Sequence, residues 1–297
     1  MGAGVGAVTD PVALDPARRP FVDLHHHAGV DTLRRRRTVI ETGEAYAAIG
    51  AWVVVKSHLV PTTAAAWEAR ARGLPVSGSV VLNHGVGGLD PRVVVTAVLA
   101  HGPDAPARTV VYLPTVTGHA HPAGGGQRPF HPDVAAHAAG VAVSDDDGHL
   151  RRETLEVIAC CADLPVVLAT GHSTREEVLR VIDAAVARGV SRLVVTHATH
   201  PMVGLTDTDL RDLADVEGLA IELTGLTYIL GRQRPEQFFD SVRAHPRVLL
   251  SSDLGQPTTV DVVDWLPWTR EWMRAGGLGD DAVRSLLVTT PAELLAP

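Results

Sequence analysis

Short apolar runs rich in β-branched residues recur along the chain, each closing in polar residues and each followed by a stretch of helical period. They read FVDLHHH, AWVVVKSH, VSGSVVLNH, RTVVYLPT, PVVLATGH, SRLVVTH, LAIELTG and RVLLSSD. Their apolar positions are nearly continuous rather than alternating, which predicts parallel strands buried on both faces. The segments between them carry helix punctuation. In STREEVLRVIDAAVARGV, Ser173 or Thr174 can cap a helix and Glu176 or Glu177 can complete a capping box. Val178, Leu179, Ile182 and Val186 then form an apolar stripe that Gly189 ends. Eight such strand and helix repeats between Phe21 and Pro297, with no G-x-G-x-x-G turn after the first run, predict an α/β fold. A single-domain (β/α)8 TIM barrel suits them better than an open sheet.

In a barrel of this kind the C-terminal ends of the strands meet at one mouth, where chemistry resides. The polar ends of the runs are His25 and His27, Lys56 and His58, His84, Thr115, His172, His197, Glu222 and Asp253. Residues 116–147, rich in Gly, Pro and His, follow the fourth strand on that face and are expected to form a lid. Within it, His119, His121 and His131 are expected as solvent-exposed loop positions. Residues 1–20 lack the basic start and apolar block of a secretory signal and are expected as a flexible lead-in, so the barrel domain is drawn over residues 21–297.

Composition narrows the function classes. The 297 residues are 45% hydrophobic, yet no apolar run reaches the ~18 residues that suggest a membrane span, which argues for a soluble protein and against a membrane partner. A net charge of −8 argues against nucleic acid, and the one cationic run, LRRRRTV from Leu33 to Val39, is expected as a solvated loop or helix face. The only two cysteines, Cys160 and Cys161, are neighbours on an expected helix, where a bridge between them would be strained; a reducing cytoplasm fits. Trp265, Trp268 and Trp272 have the spacing of one helix face, which suggests core or a subunit interface and so a homo-oligomer. Of the 26 basic residues, 25 are arginine and one is lysine, so Lys56 needs its own explanation.

Residues two apart on a strand face the same side, so His25 and His27 can point together into the mouth while His26 points away. Two imidazoles so arranged can share one divalent ion, which then needs N or O ligands from other strands. His172, His197 and Asp253 are the candidates. His58, His84 and His200 lie one or two steps from such positions, open either to simple packing or to substrate-binding and supporting roles. Glu222 can face the mouth or pair with one of the many arginines.

The constellation resembles the amidohydrolase superfamily of metal-dependent hydrolases. The resemblance rests on Asp23-Leu24-His25-His26-His27 as a D-x-H-x-H at the first strand, His172 after the fifth, His197 after the sixth and Asp253 after the eighth. The final VTTPAELLAP also resembles the superfamily's closing helix, so the likeness covers nearly the whole chain from Phe21. ATGHST and VVTHATHPM are similar to strand ends of the N-acetylglucosamine-6-phosphate deacetylases, while the rest is closer to uncharacterised branches.

This resemblance implies that His25, His27 and Asp253 bind one metal ion and that His172 and His197 bind a second or support the first. It also implies that Asp253 takes a proton from the metal-bound water and passes it to the leaving group. Zinc is the expected ion, with manganese, iron or nickel as alternatives, and one or two ions are expected. The sequence departs from binuclear members in one respect. Their bridging carboxylated lysine or glutamate on the third or fourth strand has no counterpart in VVLNHGVGG or VVYLPTVTG. Lys56 ends the second strand instead, and can either bridge as a carbamate or stay cationic and hold an anionic substrate group. The expected activity is hydrolysis of a C–N, C–O or P–O bond in a small, anionic molecule. The rivals are a metal-dependent decarboxylase or other lyase on the same barrel, and a non-catalytic ligand-binding barrel.

Overall fold

The computed structural model describes residues 13–118 and 128–297, with the backbone alone described at residues 136 and 137. Its eight strands form one parallel sheet in sequence order: β1 (Val22–His27), β2 (Trp52–Lys56), β3 (Val76–Val81), β4 (Thr109–Tyr112), β5 (Val166–Ala169), β6 (Leu193–Val195), β7 (Leu219–Thr224) and β8 (Val248–Ser251). Every strand residue is buried, as the unbroken apolar runs require: one face fills the barrel and the other meets helices. The helices are α1 (Val39–Ala48), α2 (Thr63–Ala71), α3 (Pro91–His101), α4 (Arg152–Ala162), α5 (Arg175–Ala187), α6 (Asp207–Asp212), α7 (Gly225–Ile229), α8 (Pro235–Ala244), α9 (Val262–Ala275), α10 (Asp280–Arg284) and α11 (Thr290–Leu295). Capping boxes open three of them, Thr38 with Glu41 at α1, Thr174 with Glu177 at α5 and Thr206 with Asp209 at α6. Thr174 and Glu177 thus decide between the alternatives that the sequence leaves open.

Successive strands pair from β1 through β8, and the ring closes just beyond the end of β8. There the Asp253 amide donates to the His25 carbonyl and the His27 amide donates to the Leu254 carbonyl, each at 2.8 Å. Closure therefore brings Asp253 beside the two outer histidines of β1. Gly255 permits it: its φ is +121°, and a Cβ there would run into the His27 carbonyl. Gly171, at φ +66°, lets the chain pass equally close to the Leu113 and Pro114 carbonyls before His172.

The expected tryptophan stripe is not one buried face. Trp265 packs on Phe21, with ring centroids 5.6 Å apart, whereas Trp268 is 59% exposed and lies parallel on Trp272. Cys160 and Cys161 are both free thiols on α4. After residue 127 the expected lid returns to the loop that follows β1: the Phe130 amide donates to the Thr32 carbonyl, and the Arg34 amide to the Arg128 carbonyl. His119 and His121 lie outside the described residues, as do residues 1–12 of the expected lead-in. No helix among the described residues is long and apolar enough to cross a membrane.

Candidate metal centre

The ends of β1 and β6 and the closure after β8 bring four candidate ligands together. His25 Nε2 and His27 Nε2 each lie 3.2 Å from Asp253 Oδ1, and His197 Nε2 lies 3.8 Å from Asp253 Oδ2. Ligand atoms about 2.0–2.2 Å from a tetrahedral ion are about 3.3–3.6 Å from one another; the separations here lie close to that range, and His25, His197 and Asp253 form one group within reach of a cation, with His27 beside it on Asp253 Oδ1. Three imidazoles and a carboxylate are also a donor set that a divalent ion takes.

Each ring's second nitrogen is held from behind. His25 Nδ1 faces the Glu222 carboxylate at 3.2 and 3.3 Å, His27 Nδ1 faces Asp31 Oδ2 at 3.2 Å, and His197 Nδ1 meets Thr224 Oγ1 at 3.2 Å. A carboxylate accepting from Nδ1 leaves the Nε2 lone pair turned to the centre, the tautomer that a ligand needs. Burial pushes all three imidazoles well below their ordinary pKa, which keeps them neutral.

The backbone carries a second sign. Among the described residues, the only non-glycine positions with positive φ are His197, at 52°, and Asp253, at 54°. Such conformations are costly outside glycine and persist where the surroundings enforce them. Both fall on this cluster.

Lys56 is fully buried, with Nζ 3.0 Å from His25 Nε2 and 4.1 Å from the centre of the Tyr112 ring. Burial lowers its pKa against the opposing pull of Asp253, Glu222 and Asp31. Burial raises that of Asp253, against the attraction of Lys56.

His27, Asp31 and His58 form a second grouping within reach of a cation. Here, however, the carboxylate is already occupied. Asp31 accepts from Arg35 Nε at 2.6 Å and from the amides of Thr32 and His58 at 2.7 Å each, while His58 Nδ1 meets Thr115 Oγ1 at 2.7 Å. This group supports His27 rather than offering a free donor set.

The remaining candidates stand around the centre. The His172 ring lies 5.2 Å from that of His197 and 6.0 Å from that of His58, at the edge of the cluster. The His58 ring is 4.7 Å from that of His27. His200, 5.9 Å from the His197 ring, accepts the Met202 amide on Nδ1. His84 is exposed on the turn after β3, where it and His58 line a cavity of about 430 Å³ with Leu59, Val116 and Phe130. His131 is exposed at the same cavity, and Arg128 is exposed as well.

One alternative is decided and one expectation is corrected. Of the two alternatives for Glu222, the structure takes the first: β7 turns it into the barrel, where it receives His25, and among the described residues it pairs with no arginine. The arginine run is not wholly solvated: the Arg35 side chain is 3% exposed and holds Asp31. His26 does point away from the mouth, meeting Tyr46 and Ser252, and the aspartate that opens the motif, Asp23, is structural. It accepts from the amides of His25 and Ser252 and from the Tyr46 hydroxyl, and burial raises its pKa to about 6.

Sequence reasoning missed Asp31, Arg35, Tyr112, Thr224 and Asn83. Asn83 Oδ1 accepts the Thr115 and Val116 amides and its Nδ2 donates to the His58 carbonyl, so it ties three strand ends together. Its place beside His84 at a strand end was the available signal.

The model of the family of unknown function DUF6282 matches residues 20–222, a span that holds every candidate histidine but not Asp253. No curated protein matches the chain in sequence. Among solved structures, an amidohydrolase II is similar at a TM-score of 0.55 and 9% identity, over 92% of this chain and 99% of that one. The 2,6-dihydroxybenzoate decarboxylase from Rhizobium is similar at 0.53 and 11%, over 93% and 98%. The metallopeptidase dipeptidase AC is similar at 0.52 and 14%, over 92% and 97%. At these identities the likeness establishes the fold. The chain belongs to the DUF6282 family, and its fold is a (β/α)8 barrel like that of these three structures.

Proposed function

We propose that this protein is a metal-dependent hydrolase that cleaves a C–N, C–O or P–O bond in a small, anionic molecule, using one divalent ion held by His25, His27, His197 and Asp253. Zinc leads the candidate ions, ahead of manganese, iron and nickel. The observation that carries the reading is the convergence of two imidazole Nε2 atoms on Asp253 Oδ1, at 3.2 Å each, with Glu222 and Asp31 behind the same two rings. One ion rather than two is favoured because Asp31 is already saturated by Arg35 and two amides. His172, its ring 5.2 Å from that of His197, supports the ion in this reading rather than binding a second.

When bound, the ion supplies Lewis acidity, polarising a substrate oxygen and bringing the pKa of water towards ~7. Asp253 is the base that takes the proton of the attacking water and then the acid that returns it to the leaving atom. Glu222 and Asp31 keep the ligand rings in one tautomer. Lys56 Nζ lies 3.0 Å from His25 Nε2, so in this reading it gives up that nitrogen to the ion and turns its ammonium to an anionic substrate group, with His58 and His200 flanking the mouth and His84 at its outer cavity. The dipeptidase and the decarboxylase with this fold are named for hydrolysis and for loss of a carboxyl group, and these are the two chemistries to separate.

Turnover in ¹⁸O-water of a panel of small amides, esters and phosphate esters bearing a carboxylate tests the reading. Solvent oxygen is expected in the product, and Asp253→Asn is expected to slow turnover by roughly 10²-fold or more. Release of carbon dioxide from an unlabelled product would replace hydrolysis with the lyase reading.

A further inference from the structure

The arginine run borders a second cavity of about 790 Å³, on the side of the mouth formed by the loops before α1 and α2. Phe130 stands in the wall of both this cavity and the one beside His58. The four arginines there are not equivalent. Arg36 donates to the Pro257 and Thr259 carbonyls, and Arg37 pairs with Asp261 at 2.6 Å. Arg34 is exposed and has no carboxylate within ion-pair range among the described residues. Arg35 is the informative one. Its side chain is 3% exposed, its Nε is spent on Asp31, and its two terminal nitrogens meet no acceptor among the described residues.

The Arg35 guanidinium is nearly buried and lines the cavity, so a ligand there can complete its hydrogen bonds in place of water. The planar fork suits a carboxylate in two-pronged contact. The other walls are mostly apolar, from Val30, Val39, Ile40, Val60, Ala65 and Phe130. Of the acidic residues at the cavity, Glu41 is folded back onto Thr38 and Glu68 is exposed on α2. The volume lies in the range of small-molecule sites.

We propose that this cavity binds an amphipathic organic carboxylate, with its head on Arg35 and Arg34 and a short alkyl or aryl tail against Val39, Val60 and Phe130. Binding can be read without turnover, so the site stands or falls independently of the hydrolase reading.

Titration calorimetry of the 297-residue chain with octanoate, hexanoate, octan-1-ol and inorganic phosphate tests this. Octanoate is expected to bind one per chain and more tightly than hexanoate by roughly tenfold, since each buried methylene is worth about fourfold. Octan-1-ol and inorganic phosphate, each lacking one half of the ligand, are expected to bind at least tenfold more weakly. Arg35→Met should abolish the preference for octanoate over octan-1-ol. Because Arg35 also holds Asp31, Ala65→Trp provides a second variant: it fills the cavity from α2, away from the metal centre, and should cut octanoate affinity at least tenfold with an unchanged circular dichroism spectrum. Octanoate binding no tighter than that of octan-1-ol, or binding that survives Ala65→Trp, would overturn the proposal.

Discussion

Glu222 illustrates how much of the proposed metal site resides in residues that would never touch the ion. It receives His25 Nδ1 within the barrel, as Asp31 receives His27 Nδ1, and both carboxylates are buried. Such partners typically contribute 10- to 100-fold to ion affinity. Glu222→Gln and Asp31→Asn are each expected to weaken zinc binding by roughly that factor, measured by competition with a chromophoric chelator; unchanged affinity would remove them from the site. At this scale the residues proposed as ligands, His25, His27, His197 and Asp253, stood among the sequence candidates together with His172 and Lys56, because strand alternation and strand-end position depend on sequence alone. Their supports Asp31 and Arg35 did not. Asp31 reaches His27 through the path of a loop, and Arg35 is singled out from its three neighbours only by where that loop turns inward.

At the scale of elements, the closure past β8 does the assembling. It needs Gly255 at φ +121° against the His27 carbonyl, next to a strained Asp253 at φ 54°. Gly255→Ala is expected to destabilise the fold by more than the ~1–3 kcal/mol of an unfavourable backbone conformation and to lower bound metal with it. Gly189→Ala is the control, because Gly189 shares a positive φ of +77° but has open space around it. Thermal melts of the two variants check the contrast; equal losses would mean that closure does not depend on the close approach. The eight strands and the α5 capping box were legible from apolar runs and cap residues. The closing bonds were not, since they join residues more than two hundred positions apart in the chain that share no local pattern.

At the scale of the whole molecule, the buried titratable groups set the response to acid. Burial lowers seven histidines, His25, His26, His27, His58, His101, His197 and His245, with His26 and His101 at about 3 against an ordinary 6.5. Below pH 6.5 the unfolded chain takes protons at these positions that the folded chain refuses, so stability falls as pH falls. Asp23, Glu222 and Asp253 act in the opposite sense, because the folded chain keeps protons on them, at Asp23 up to about pH 6, that the unfolded chain releases. The histidines outnumber them, and the metal-free protein is expected to lose urea resistance steadily from pH 6.5 towards 4; constant resistance would contradict the burial of the rings.

The central claim, that His25, His27, His197 and Asp253 hold one divalent ion, is tested most directly by elemental analysis of protein purified without a histidine tag. Near one ion per chain is expected in the wild type and near none in His25→Ala, with the circular dichroism of the two alike. No ion in the wild type, or the same content in the variant, would contradict the centre; near two ions per chain would contradict its single-ion form and return Lys56 to a bridging role.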